Sequence, residues 1–225
     1  MRESKRALQA RIAGALTALS AAYPDAAPQL DFTSPFELLA ATILSAQCTD
    51  KQVNKVTAAL FPLYGTPQKM AAATQAELEP YIKGCGLFKT KGKNLIATAK
   101  ILVSEYGGEV PRERDTLTKL PGVGRKTANV VISNAFGTPA IAVDTHVFRV
   151  ANRMGLADAK DVLHTEQQLM QNIPEAQWSI AHHWLIFHGR RVCSARNPKC
   201  EACTVRAYCK QALTQAAGKA KSNEG

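Results

Sequence analysis

Apolar positions recur every three to four residues along most of this chain, and nowhere do they alternate long enough to build a sheet. Leu8, Ile12, Ala15, Leu16 and Leu19 fall on one helical face, so the spacing predicts an amphipathic helix over 4–22. Pro24 and Pro28 end it and mark a linker. Ser34-Pro35-Phe36-Glu37 signals the next start: Ser34 can cap, Pro35 suits the first helical position, and Glu37 completes a capping box. That helix is expected to run through Leu44. Thr74-Gln75-Ala76-Glu77 is a second capping box, opening a helix towards Lys83. After the break at Gly84-Cys85-Gly86, a helix over 90–106 carries Leu95, Ala99 and Leu102 on one face. Further helices are expected near 125–136, 144–153, 161–172, 175–188 and 204–217. The apolar run Ala140 to Val143 is the one stretch that could pass for a strand, so the fold class is all-α. Residues 218–225 are small, polar and charged, and are expected to form a disordered tail.

Composition narrows the function. A chain of 225 residues can build one large domain or two small ones. No segment is apolar enough to span a membrane, and the N-terminus lacks a signal core, so an intracellular location is expected. The net charge of +10 favours an anionic partner, most commonly nucleic acid. A basic membrane-surface protein is the main competitor, but no concentrated basic amphipathic helix supports it.

Three stretches carry chemistry. The first is Leu120-Pro121-Gly122-Val123-Gly124-Arg125-Lys126-Thr127-Ala128. Two glycines around Val123 allow a tight hairpin with positive φ and close approach by a ligand. Backbone N–H groups at the start of the following helix can then grip a phosphate, aided by the helix dipole and by Arg125 and Lys126. Such contacts position a protein on DNA without reading sequence. The second stretch is Val143-Asp144-Thr145-His146-Val147-Phe148-Arg149, where Asp144 opens a helix as its cap. A lysine in a desolvated, cationic setting can become a neutral nucleophile able to form a Schiff base with a sugar C1′. A nearby carboxylate can stabilise charge on the sugar or move protons. Lys126 and Asp144 are the candidates for these two roles. The third stretch holds Cys193, Cys200, Cys203 and Cys209 in the spacing C-x6-C-x2-C-x5-C. Four thiolates suit zinc or an iron–sulfur cluster, and four ligands in one short loop favour a compact cube. Arg190, Arg191, Arg196, Lys199 and Arg206 surround them and could meet phosphates.

With these residues in view, the chain resembles the endonuclease III family, bifunctional DNA glycosylases of the helix-hairpin-helix superfamily. The likeness rests on Leu44-Ser45-Ala46-Gln47, Gly86-Leu87, Leu120 to Val131, Val143 to Arg149 and the four cysteines, and extends from about residue 8 to 212. The resemblance implies two helical domains flanking a DNA-binding groove: 28–138 with the hairpin at about 115–136, and 1–27 plus 139–217 around a [4Fe–4S] cluster. It implies that Lys126 attacks C1′, expels an oxidised pyrimidine and cuts the strand by β-elimination, with Asp144 supporting the charged transition state. It implies that Gln47 and Leu87 fill the space left by a flipped nucleotide, although the residue pattern alone reads Leu87 as core. Gly122, Val123, Gly124, Arg125, Thr145, His146 and Arg149 would lie along the DNA. The expected partner is double-stranded DNA with damaged bases or abasic sites, bound by a monomer in a bacterial cytoplasm at the nucleoid. Cys48 stands where the family pattern suggests a small residue such as alanine, which leaves lesion preference open. Cys48 and Cys85 read as partly buried free thiols.

Two other functions fit parts of the pattern. A monofunctional adenine glycosylase shares the hairpin and cluster, but it lacks the lysine and usually carries a further recognition domain. A non-catalytic DNA-binding module would leave Lys126 or Asp144 idle.

Overall fold

The computed structural model describes residues 3–222, with side chains through residue 216. In chain order the helices are α1 (Lys5–Ala22), α2 (Pro35–Leu44), α3 (Asp50–Tyr64), α4 (Pro67–Ala72), α5 (Gln75–Ile82) and α6 (Phe88–Glu105). They continue with α7 (Arg114–Leu117), α8 (Arg125–Phe136), α9 (Thr145–Met154), α10 (Val162–Asn172), α11 (Trp178–Arg191) and α12 (Lys210–Ser222). No strand occurs among the described residues, and the fold is all-α. The buried run Ala140 to Val143 has no ladder partner.

The chain forms two compact units. Residues 28–140 make one; the segments before and after make the other. In the first unit α2 is buried almost throughout and packs against α3, α6 and α8. Leu38, Leu39 and Leu44 lose nearly all solvent contact, each contributing roughly 2 kcal/mol of burial. Helices α4 and α5 lean on α6, and the short α7 on α8. In the second unit α11 packs against α1 and α9, and α9 also meets α10 and α12. Its core includes Ile12, Leu16, Val147, Val150 and Leu185.

Local signals explain most of the helix starts. Thr74 and Glu77 form a reciprocal capping box, with bonds of 2.7 Å and 3.3 Å. At Ser34 the box is shifted. Ser34 caps Glu37, but the Glu37 carboxylate accepts from Thr33 N and Thr33 Oγ1, one residue earlier than the pattern suggests. Helices α3 and α4 were not expected. Thr49 and Thr66 cap them, and Val53, Val56, Thr57 and Leu60 give α3 its buried stripe despite Pro62 in its last turn. Helix α11 runs on to Arg191 after a 3-10 turn at Glu175–Gln177. Cys203 and Val205 precede a second 3-10 turn at Arg206–Tyr208, so α12 starts only at Lys210. It then continues to Ser222, giving helical backbone to residues 218–222, which were expected in a disordered tail; 223–225 lie outside the described residues.

Candidate active site and cysteine loop

The hairpin joins α7 to α8. Val123 N donates to Leu120 O at 3.1 Å, and Thr98 Oγ1 from α6 holds Pro121 O at 2.9 Å. Val123 is 5% exposed and plugs the turn into the core. Its two glycines serve different needs. Gly122 has φ +77, and a Cβ there would come within 2.7 Å of Asn94 Nδ2. Gly124 has φ −89, which any residue can adopt, and a Cβ there would meet nothing within 4 Å. The expectation of positive φ therefore applies to Gly122 alone, while Gly124 leaves the approach to the helix start open. Gly124 is also the N-cap of α8 and supplies no side-chain cap. An anion can occupy the position a capping oxygen fills elsewhere. Arg125 and Lys126, the first two residues of α8, are both exposed beside it.

Gln47 and Leu87 are the only non-glycine residues with positive φ among the described residues, at +53 and +58. Left-handed backbone at such residues is strained and concentrates at functional positions. Leu87 is 62% exposed, so the core reading of this residue is corrected. The two turns are neighbours: a Cβ on Gly86 would lie 3.7 Å from Gln47 O. Beneath them Cys85 is fully buried and hydrogen-bonds to the half-buried Cys48; burial, then Cys48, push its thiol pKa up to about 11.

Asp144 caps α9, its Oδ1 accepting from Val147 N at 2.7 Å. Thr145 is exposed at the first position of that helix. His146 Nδ1 and Arg149 Nη2 are 3.2 Å apart. The Arg149 guanidinium turns inward and donates to Gly189 O at 3.0 Å and to Cys193 O at 3.1 Å and 3.2 Å. It ties α9 to the end of α11 and the start of the cysteine loop, a role the sequence pattern did not suggest.

The four cysteines line one pocket together with Met154, Val192 and Val205. Arg153 braces the loop, donating to Ser194 O at 2.7 Å and Ala195 O at 2.8 Å and reaching Cys193 Sγ at 3.5 Å. The buried His188 stands 3.7 Å from Cys203 Sγ through Nε2 and 2.8 Å from Tyr23 Oη through Nδ1. Burial holds the His188 pKa down at about 4, so its ring is neutral near pH 7. Of the flanking cations, Arg191 pairs with Asp25 at 2.7 Å and Arg206 with Glu201, while Arg196 and Lys199 are exposed.

Residues 40–175 match the family model described as HhH-GPD superfamily base excision DNA repair protein. The chain is 51% identical to endonuclease III of Bacillus subtilis over 190 residues, covering 84% of this chain and 87% of that protein. It is 48% identical to endonuclease III of Escherichia coli over 194 residues, covering 86% and 92%. This chain belongs to the endonuclease III family. A solved trapped endonuclease III–DNA covalent intermediate superimposes with a TM-score of 0.86 at 48% identity, covering 92% of this chain and 98% of that one. As a member of the endonuclease III family, the protein is a base-excision DNA repair enzyme with glycosylase and AP lyase activity.

Residues 193–209 also match the iron–sulfur binding domain of endonuclease III. The geometry fits such a group. Four thiols spread around one pocket suit a cube in which each iron takes one thiolate. The cofactor of this endonuclease III-family protein is a [4Fe–4S] cluster, and Cys193, Cys200, Cys203 and Cys209 are the residues that would hold it. Arg153, His188 and Tyr23, which sequence reading missed, brace its ligand loop. Their signal was faint: each lies on an ordinary helical stripe or at a helix end, and Tyr23 and Arg153 are 40 or more residues from the nearest of the cysteines.

Proposed function

We propose that Lys126 is the nucleophile of this enzyme and that its substrate is an oxidised pyrimidine in duplex DNA. The Lys126 amine attacks C1′ of the damaged nucleotide as the C1′–N bond breaks and the base departs with a proton. The attached ammonium loses a proton, and the C1′–O4′ bond then breaks as O4′ takes up a proton, opening the sugar to an iminium ion. β-Elimination from that species breaks the C3′–O bond and cuts the strand 3′ to the lesion; hydrolysis frees the lysine. Asp144 offers a carboxylate to stabilise positive charge on the sugar. Gln47 and Leu87 fill the space vacated by the flipped nucleotide, lowering a cost of about a few kcal/mol for unstacking. The hairpin and the exposed Arg125 grip phosphates, and the cluster loop adds Arg196 and Lys199 without entering the covalent chemistry. The enzyme works as a monomer on chromosomal DNA in the cytoplasm.

One observation carries this reading. Lys126 is exposed in the first turn of a helix with no side-chain cap, directly behind the hairpin, in a chain similar to a protein trapped covalently on DNA. The test is borohydride trapping on a duplex with a single oxidised pyrimidine. The wild-type protein should give a covalent adduct that Lys126→Ala does not. An adduct of equal yield in Lys126→Ala would overturn the assignment. Absence of any adduct, with base release intact, would favour a monofunctional glycosylase.

A further inference from the structure

Lys91 is a lysine in the first turn of α6 that is only 4% exposed. Burying an ammonium group is costly unless something repays its lost hydration. Here its Nζ donates to Leu44 O at 2.8 Å. Leu44 is the last residue of α2, where carbonyls lack helical partners and the helix dipole favours a cation. The backbone N–H of the same Lys91 donates to Leu87 O at 3.0 Å. That is the first helical bond of α6, so the side-chain bond from Nζ ties the helix start behind Leu87 to the end of α2. Three residues beyond Leu44 lies Gln47, and Leu87 is the N-cap of α6; these are the two strained left-handed residues. The Cys85–Cys48 hydrogen bond also links the two turns. Ser45 Oγ bonds Thr42 O and Cys48 N bonds Ser45 O on one side, and the N-cap Leu87 has no side-chain cap on the other.

We propose that Lys91 is a positioning residue that fixes the spacing of Gln47 and Leu87, so that both enter the duplex together when the damaged nucleotide leaves it. The proposal rests on the reading of Gln47 and Leu87 as the residues that fill the vacated space. Together with the Cys85–Cys48 bond, the buried ammonium keeps the strained backbone ready before DNA arrives. Without it the two turns relax, and each must be re-formed during flipping. Methionine can fill the aliphatic stem without a charge, so Lys91→Met should pack acceptably while deleting the clamp.

The test measures single-turnover base release on two substrates: a fully paired duplex with an oxidised pyrimidine, and the same lesion in an unpaired bulge. Lys91→Met should slow release from the paired duplex by more than about tenfold and from the bulge by less than about threefold, because only the first requires the stack to be opened. A 2-aminopurine beside the lesion should show a weaker rise in fluorescence on binding. Lys91→Arg, which keeps the cation, should restore most of both signals. If Lys91→Met fails to fold, Lys91→Gln takes its place in the same comparison. Equal slowing on both substrates, or an unchanged 2-aminopurine signal, overturns the proposal and leaves Lys91 a purely structural residue. Leu87→Ala run in parallel separates the two ideas. If Leu87→Ala shows the paired-duplex preference and Lys91→Met does not, only the clamp fails. If neither shows it, the space-filling reading fails and the clamp falls with it.

Discussion

The two hairpin glycines should respond to the same substitution in opposite ways. At Gly122, alanine must take φ +77, which costs an L-residue roughly 1–2 kcal/mol. Its methyl would also press to 2.7 Å from Asn94 Nδ2 and 3.1 Å from Asn94 Cβ, so the Asn94 side chain must move, adding about 1 kcal/mol or more. The sum is about 2–4 kcal/mol, or roughly 5–12 °C in melting temperature for a chain of this size. At Gly124 the backbone, at φ −89, is allowed for alanine and no atom lies within 4 Å of the new methyl. The weaker capping by alanine and the reduced freedom of its unfolded chain are each about 0.5–1 kcal/mol and opposed, so stability should barely change. That methyl would nevertheless stand where a phosphate must approach. Loss of a charge-assisted contact worth about 1.5–3 kcal/mol should weaken DNA binding about tenfold or more. Thermal melting gives the first quantity. Fluorescence anisotropy with a duplex carrying an uncleavable abasic analogue, at one fixed salt concentration, gives the second. Binding by Gly124→Ala within twofold of wild type would refute the phosphate-gripping role. An unchanged melting temperature in Gly122→Ala would refute the strain argument.

Other outcomes follow from single groups. Asp144→Asn should keep the α9 cap, because asparagine caps as well as aspartate, and should bind DNA normally while losing most turnover; parallel loss of binding and melting temperature would leave Asp144 only a cap. Burial lowers the His183 pKa to about 4 from 6.5, so the unfolded chain takes up the proton first as pH falls. The folded state should therefore lose about 2 kcal/mol from this group between pH 7 and pH 5, and denaturant titrations of His183→Gln should show a shallower loss. With Cys85 fully buried and its thiol pKa near 11, iodoacetamide at pH 8 should label Cys48 well before Cys85, as read by peptide mass spectrometry.

The features legible in the sequence were those set by neighbours along the chain. Thr74 with Glu77 gave its helix start because both halves of the capping box lie within one turn. The hairpin was legible because two glycines and a buried valine can do little else between helices. The residue pattern alone reads Leu87 as core because nothing local marks a leucine as exposed; the left-handed turn at φ +58 leaves it outside. Helix α3 went unassigned although Val53, Val56 and Leu60 keep helical spacing; Pro62 sits in its final turn without breaking it. Arg149 was expected to face phosphates as a cation at a helix surface, and only the position of Gly189 and Cys193 revealed why it turns inward.

The bond between Tyr23 and His188 joins residues 165 apart, and Arg11 reaches across 197 residues to Tyr208 O at 3.0 Å. During synthesis, then, α1 leaves the ribosome long before α11 and the turn at Arg206–Tyr208, which pack against it. Residues 28–140 form a compact unit from one continuous stretch of chain and can fold while the rest is still being made. The cluster-bearing unit instead closes last, its first helix waiting on its final loop, so iron loading falls at the end of the chain's assembly.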